Sequence, residues 1–102
     1  MAVLGLLEQR EMYGYELVEA LSSQTDGVLA MGRPTLYPLL YNLERKQLIR
    51  GAWREAESGR KRKYYSVTHK GVIWLRGQQK QWGSLIGAMG NLGLLDARPE
   101  RR

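Results

Sequence analysis

The stretch GRPTLYPLLYNLERKQLIR, Gly32 to Arg50, constrains the chain more than any other. Leu36, Leu39, Leu40 and Leu43 recur at the i, i+3, i+4, i+7 spacing of a single helical face. A helix over these residues must therefore turn one stripe to a core. Two prolines, Pro34 and Pro38, stand near its start. Proline lacks an N–H and is tolerated where a helix has no acceptor to offer, in the first turn. Pro34 fits there. Pro38 also fits if regular helix begins near Thr35; otherwise it bends the helix or leaves the first turn 3₁₀-like. In either case the beginning of the helix is stiff. Its free N–H groups and positive dipole end suit contact with a phosphate or a groove.

The elements around this helix follow from local patterns. Val3 to Glu8 reads as a short helix. Gly14 and Tyr15 open a second, with Leu17, Val18 and Leu21 on one face, and it ends in the turn formers Ser22 to Gly27. VLAM, Val28 to Met31, is a brief apolar link or a short strand. LIRGAWRE and KYYSV are rich in β-branched and aromatic residues and are separated by AESGRKR, with Ser58-Gly59 as the turn. These make a two-stranded hairpin with a basic tip. Alternation puts one of Tyr64 and Tyr65 in the core and leaves the other exposed. Thr68 is a good N-cap for a last helix. That helix carries Val72, Leu75, Gln79, Trp82, Leu85, Ile86, Met89 and Leu92 close to heptad spacing. Running from His69 to Leu92, it would be roughly 36 Å long. So long a helix outreaches a small domain, and one side should meet another chain. Gly71, Gly77, Gly83, Gly87 and Gly90 oppose it, at ~1 kcal/mol each in a helix interior, unless packing compensates.

Composition then bounds the function. The 102 residues suit one domain, and 43% apolar content suits a packed core. A chain this short buries only about 60–65% of its unfolded surface and gains from a partner. The net charge is +6, and Arg50 to Lys63 holds six basic and two acidic residues, so the excess is local. A local excess favours a polyanion partner over a generally basic surface. Cysteine is absent, which excludes thiolate metal sites and disulfides and accords with a cytoplasmic location. MAVLGLL is too short for a membrane span and lacks the basic start of a signal peptide. No enzyme is expected. His69 is the only histidine, no glycine-rich phosphate loop precedes a helix, and Glu8, Glu11, Glu16, Glu19 and Asp26 read as solvated faces. No cofactor and no metal are expected.

Three helices followed by a hairpin are the order of a winged helix-turn-helix, here mainly α with a small β-hairpin and a long C-terminal dimerisation helix. The expected divisions are a DNA-binding domain at 1–67, a dimerisation helix at 68–93 and a flexible tail at 94–102. The third helix is then the one that enters a major groove. Gly32, Arg33, Pro34, Thr35 and Tyr37 would lie at its leading end. Arg33 could meet a guanine edge or a phosphate, and Thr35 and Tyr37 offer hydroxyls, although Tyr37 could equally be a packed core residue. Arg60, Lys61, Arg62 and Lys63 would follow phosphates or enter a minor groove. Arg45 and Lys46 read as complements to the helix C-terminus. Trp74 is expected buried, with Trp53 packed on it. The partners expected from these features are duplex DNA and a second copy of the chain. A winged-helix module for protein–protein interaction is the alternative, and the clustered charge is hard to explain on it.

LGLLEQREMYGYEL, GRPTLYPLLYNLERKQLI and SGRKRKYYSVTHKG together resemble the PadR family of transcriptional regulators over about residues 3–75. The resemblance implies a winged helix-turn-helix that binds operator DNA as a homodimer, usually as a repressor, with a C-terminal helix that pairs with its mate. The short tail resembles the subfamily with one C-terminal helix. The start at the first helix implies that an N-terminal extension, often used at the family's dimer interface, is short or missing. Some relatives answer small aromatic compounds. In one such group a tryptophan on the last helix lines a pore between subunits, and Trp82 has the matching offset from Thr68. Trp82 is therefore either a ligand-stacking residue for an aromatic effector or a packed interface residue.

Overall fold

The computed structural model describes residues 2–94. In chain order the elements are α1 (Ala2–Gln9), β1 (Met12–Tyr13), α2 (Gly14–Ser23), α3 (Arg33–Arg45), β2 (Ile49–Glu55), β3 (Lys61–Val67) and α4 (His69–Asn91). The three strands form one antiparallel sheet in the order β1-β3-β2. This is a winged helix-turn-helix. The expected tail lies outside the described residues apart from Leu94.

The leucine stripe of α3 reaches the core as its spacing requires: Leu36, Leu40 and Leu43 are buried and Leu39 packs partly against them. Val3, Leu4, Leu6 and Leu7 of α1 and Leu17, Ala20 and Leu21 of α2 close over it. Full burial of one such leucine or valine contributes about 1.5–3 kcal/mol, so this shared cluster holds the three helices together.

Helix α3 begins at Arg33, so Pro34 is in its first turn but Pro38 is inside. Pro38 cannot donate to the Pro34 carbonyl, and the helix forgoes one bond there. Its other end closes with the Gln47 N–H donating to the Glu44 carbonyl at 2.9 Å and the Leu48 N–H to the Leu43 carbonyl at 3.0 Å. That pair of hydrogen bonds needs a left-handed residue after the cap, and Gln47 takes it at φ 63°.

The first turn of α4 is fastened to this closure. The Thr68 hydroxyl donates to the Gln47 carbonyl at 2.7 Å and accepts from the Gly71 N–H at 3.0 Å. Lys70 Nζ donates to the Lys46 carbonyl at 3.0 Å. Gly71 lies so near the Leu48 carbonyl that a Cβ would collide with it. The glycine here is thus a condition of close packing.

Four expectations change or are narrowed. β1 is a third strand: Met12 pairs with Tyr65 and Tyr13 with Tyr64. Val28 to Met31 take the form of the link and not of the strand: the segment is turn and irregular backbone following Asp26 and Gly27 at positive φ. Trp53 and Trp74 are both exposed, and neither is buried by the other. The hairpin runs off the end of the core, so the face that is buried at Ile49 is open to solvent by Trp53. Finally, three of the five early carboxylates are paired, Glu8 with Arg76, Glu11 with Arg54 and Glu16 with Arg10, while Glu19 and Asp26 stand exposed as expected. Tyr65 is buried, as alternation allows, and Tyr64 is half-buried beneath the Arg54 guanidinium.

Candidate nucleic-acid interface

The stiff beginning of α3 and the basic tip of the wing border one cleft. Its volume is about 780 Å³, and Arg33, Tyr37, Trp53, Arg60, Lys61 and Arg62 are among the residues that line it. Three reasons bring them together. The α3 stripe fixes which way the helix rolls and leaves Arg33 and Tyr37, one turn apart, exposed along its edge. The β2–β3 register sets Trp53 opposite Lys63 and Arg54 opposite Arg62, which fixes the faces of the wing. The two-residue strand β1 then brings Tyr13, and after it Gly14 and Tyr15, to the rim of the same cleft.

Positive charge dominates the lining. Arg33, Arg60, Lys61 and Arg62 have no carboxylate partner among the described residues. The Arg62 guanidinium lies 4.5 Å from the Tyr13 ring centre, a cation–π contact that orients it while leaving its N–H groups available. Lys63 differs from its neighbours: its Nζ stands 3.1 Å from Glu44 Oε1. Burial pushes the Tyr65 phenol up from its ordinary value, against the opposing pull of Lys63, so the hydroxyl is neutral at physiological pH.

Gly32, Pro34 and Thr35 are exposed at the α3 tip. The expected row of free N–H groups is thinner than the sequence suggests. Pro34 has none, and the Thr35 N–H turns back to the Gly32 carbonyl at 3.2 Å. The positive character of the tip comes mainly from the Arg33 side chain. Tyr37 is neither wholly core nor wholly free: it is 46% exposed, with its ring against Gly14. Tyr13, Tyr15 and Trp53 line the cleft without having been expected there. The period-2 pattern of β2 could have flagged Trp53, which follows Ile49 on the same face. Nothing in the sequence marks Met12–Tyr13 as a strand.

A model of the transcriptional regulator PadR-like family matches residues 3–76. The chain belongs to this family. A crystal structure of a PadR-like transcriptional regulator from Bacillus cereus superposes with a TM-score of 0.79 at 33% identity, covering 95% of this chain and 90% of that one. A PadR family regulator from Eggerthella lenta gives a TM-score of 0.78 at 34% identity over 95% and 80% of the two chains. The Escherichia coli transcriptional regulator YqjI is 31% identical over 81 residues, which is 79% of this chain but 37% of that protein. As a PadR-family member the chain is a DNA-binding regulator of transcription and not an enzyme. No helix among the described residues is long and apolar enough to cross a membrane.

The residues expected at a dimer seam in this PadR-family chain lie along α4 in two groups. Leu75 is only 3% exposed and belongs to the core of its own subunit, and Val72 is half-buried beside it. Leu75 is therefore corrected from a seam residue to a core residue, because the first turns of α4 lie against the head. Gln79, Trp82, Leu85, Ile86 and Leu92 are exposed, and Met89 is half-buried. Ile73 and Trp74 add exposed apolar surface that heptad spacing did not indicate.

Proposed function

We propose that the chain is a homodimeric repressor that binds operator DNA, with residues 1–67 as the reading head and residues 68–93 as the pairing helix. The observation that carries this reading is the shared cleft, where the α3 tip and the wing tip present unpaired cations to the same space. In a helix-turn-helix the second helix of the motif enters the major groove tip first. Arg33 then contacts a guanine edge or a phosphate, with Gly32, Pro34, Thr35 and Tyr37 beside the backbone. Arg60, Lys61 and Arg62 follow the phosphates or a minor groove. Pairing through α4 is supported by Trp82, Leu85 and Ile86, which stand exposed on a helix with open space around Gly77, Gly83 and Gly87. Trp82, at 55% exposure, is free to stack on an aromatic effector entering between the two copies of α4.

Footprinting on the promoter beside its own gene tests the reading, with a two-fold symmetric protected site as the expected result. Replacing Arg60, Lys61 and Arg62 with alanine should weaken binding to every sequence. It should also flatten the dependence of log K on log salt by about 0.9 for each phosphate no longer neutralised. No binding by the parent chain at low salt would turn the reading towards a protein partner. Titration with planar aromatic compounds should quench fluorescence in the parent and not in Trp82→Phe. Equal response of the two removes the effector site.

A further inference from the structure

We propose that Lys63 and Glu44 form a strut that sets the angle of the wing against α3, so that Lys63 is a positioning residue for operator binding and not a phosphate ligand. The inference rests on the DNA-binding reading above. It begins with a difference among four consecutive cations. Arg60 and Lys61 have no carboxylate partner among the described residues, and the Arg62 guanidinium stands over the Tyr13 ring. Lys63 instead crosses the sheet to Glu44, near the end of α3, at 3.1 Å.

The route is built for that crossing. Gly51 of β2 lies beneath the Lys63 stem, and a Cβ there would collide with Lys63 Cε and come within 3.1 Å of Glu44 Oε2. The missing side chain is the channel through which the lysine reaches the helix. On the way the ammonium passes 5.4 Å from the ring centre of Tyr65, whose buried ring gives it a rigid floor. The two side chains are 29% and 31% exposed, so the pair is shielded more than a surface pair and screened less by salt.

A strut matters because, among the described residues, this is the salt bridge that joins the wing to α3. Beyond Gly51 and Tyr65 the hairpin leaves the core, and apolar packing no longer holds it. The opposite face is tied by Arg54 to Glu11, which precedes β1. A rotation of about 10° at the base would move a tip six residues away, roughly 20 Å, by about 3.5 Å. That is a full hydrogen-bond length, enough to break the contacts of Arg60 and Lys61 with a backbone whose geometry is set by the duplex. The pair also neutralises a carboxylate on the helix that reads DNA.

Three full-length variants decide the matter: Lys63→Met, which keeps the stem and loses the charge; Glu44→Gln; and the exchanged pair Lys63→Glu with Glu44→Lys. The strut predicts that both single changes weaken operator binding by several-fold, that the exchange restores it to within about twofold, and that the salt slope is unchanged throughout. A phosphate ligand predicts the contrary in each. Lys63→Met lowers the slope by about 0.9 for each site. Glu44→Gln leaves binding equal or tighter, since it removes an acid near a polyanion, and the exchange restores nothing. Any of these overturns the proposal. Amide exchange in the free protein supplies a readout without DNA. The strut requires faster exchange over Lys61–Tyr65 in both single variants and recovery in the exchanged pair, and unchanged exchange overturns it. Absence of DNA binding by the parent chain would instead sink the operator reading, with the exchange rates still deciding the strut.

Discussion

Gly71 and Gly83 stand in the same helix, but a Cβ at Gly71 would strike the Leu48 carbonyl whereas Gly83 has open space around it. The contrast extends to the regions they occupy. Around Gly71, α4 is part of the head: Thr68 and Lys70 satisfy carbonyls at the end of α3, and Leu75 is in the common core. Past Arg76, which pairs with Glu8 of α1, no residue of α4 is buried. The molecule is drawn out to 58 × 27 × 22 Å. The head is held by contacts within one chain. The distal helix has glycines that oppose it and apolar side chains that nothing else among the described residues covers. A helix of that kind depends on a surface from outside for most of its stability.

The comparison breaks if the two regions respond alike to the same kind of change. Leu40→Ala should remove about 2–5 kcal/mol from unfolding in denaturant, because the core around it is closed on all sides. Ile86→Ala in dilute solution should change the same measurement by less than about 0.5 kcal/mol. Its effect should appear only as a loss of association at higher protein concentration. A large loss in dilute solution would mean that the distal helix is packed within the subunit after all.

The glycines give a smaller effect, opposite in sign. Gly71→Ala should destabilise by about 1–3 kcal/mol through overpacking against Leu48. Gly83→Ala should instead stabilise by up to ~1 kcal/mol in dilute solution, by removing backbone freedom from the unfolded helix. If Gly83→Ala weakens association, the two helices approach each other closely there, and the open space is occupied in the pair.

The smallest expected effect concerns pH and belongs to the head alone. Burial raises the Tyr65 pKa from 10.0, so the folded state holds the proton more tightly than the unfolded chain does. The resulting stability is present in full below pH 10.0 and is lost as pH rises through the folded value. Tyr65→Phe should therefore unfold at a slightly higher pH in an alkaline titration than the parent does, at equal starting stability. An unchanged alkaline midpoint would show that this phenol does not control the loss.

Much of the head is legible in the chain because its signals are local. The leucine stripe of α3, the N-cap at Thr68 and the turn at Ser58-Gly59 each follow from spacing or from one residue's chemistry. What the pattern misses depends on register and on distance along the chain. Met12–Tyr13 is too short to show an alternation and exists as a strand only because Tyr64 and Tyr65 lie beside it. Trp53 and Trp74 look alike as apolar residues; the length of the hairpin relative to the core leaves Trp53 in solvent, and the side of α4 that buries Gly71 and Leu75 leaves Trp74 there. At the cleft, Arg60 to Lys63 read as one cationic run, and the partner that separates Lys63 from the others is 19 residues away.

The amino-acid pattern alone determined that this chain makes a winged helix-turn-helix, that α3 has a proline-stiffened start, and that positive charge gathers on the hairpin. These properties are carried by period, by proline's fixed backbone angle and by formal charge, none of which requires a neighbour. Only the tertiary structure decided which cations remain free, which half of α4 belongs to the head, and which aromatic residues line the cleft. Those depend on pairings between residues far apart in the chain, and such a pairing has no sequence signal until folding brings its two sides together.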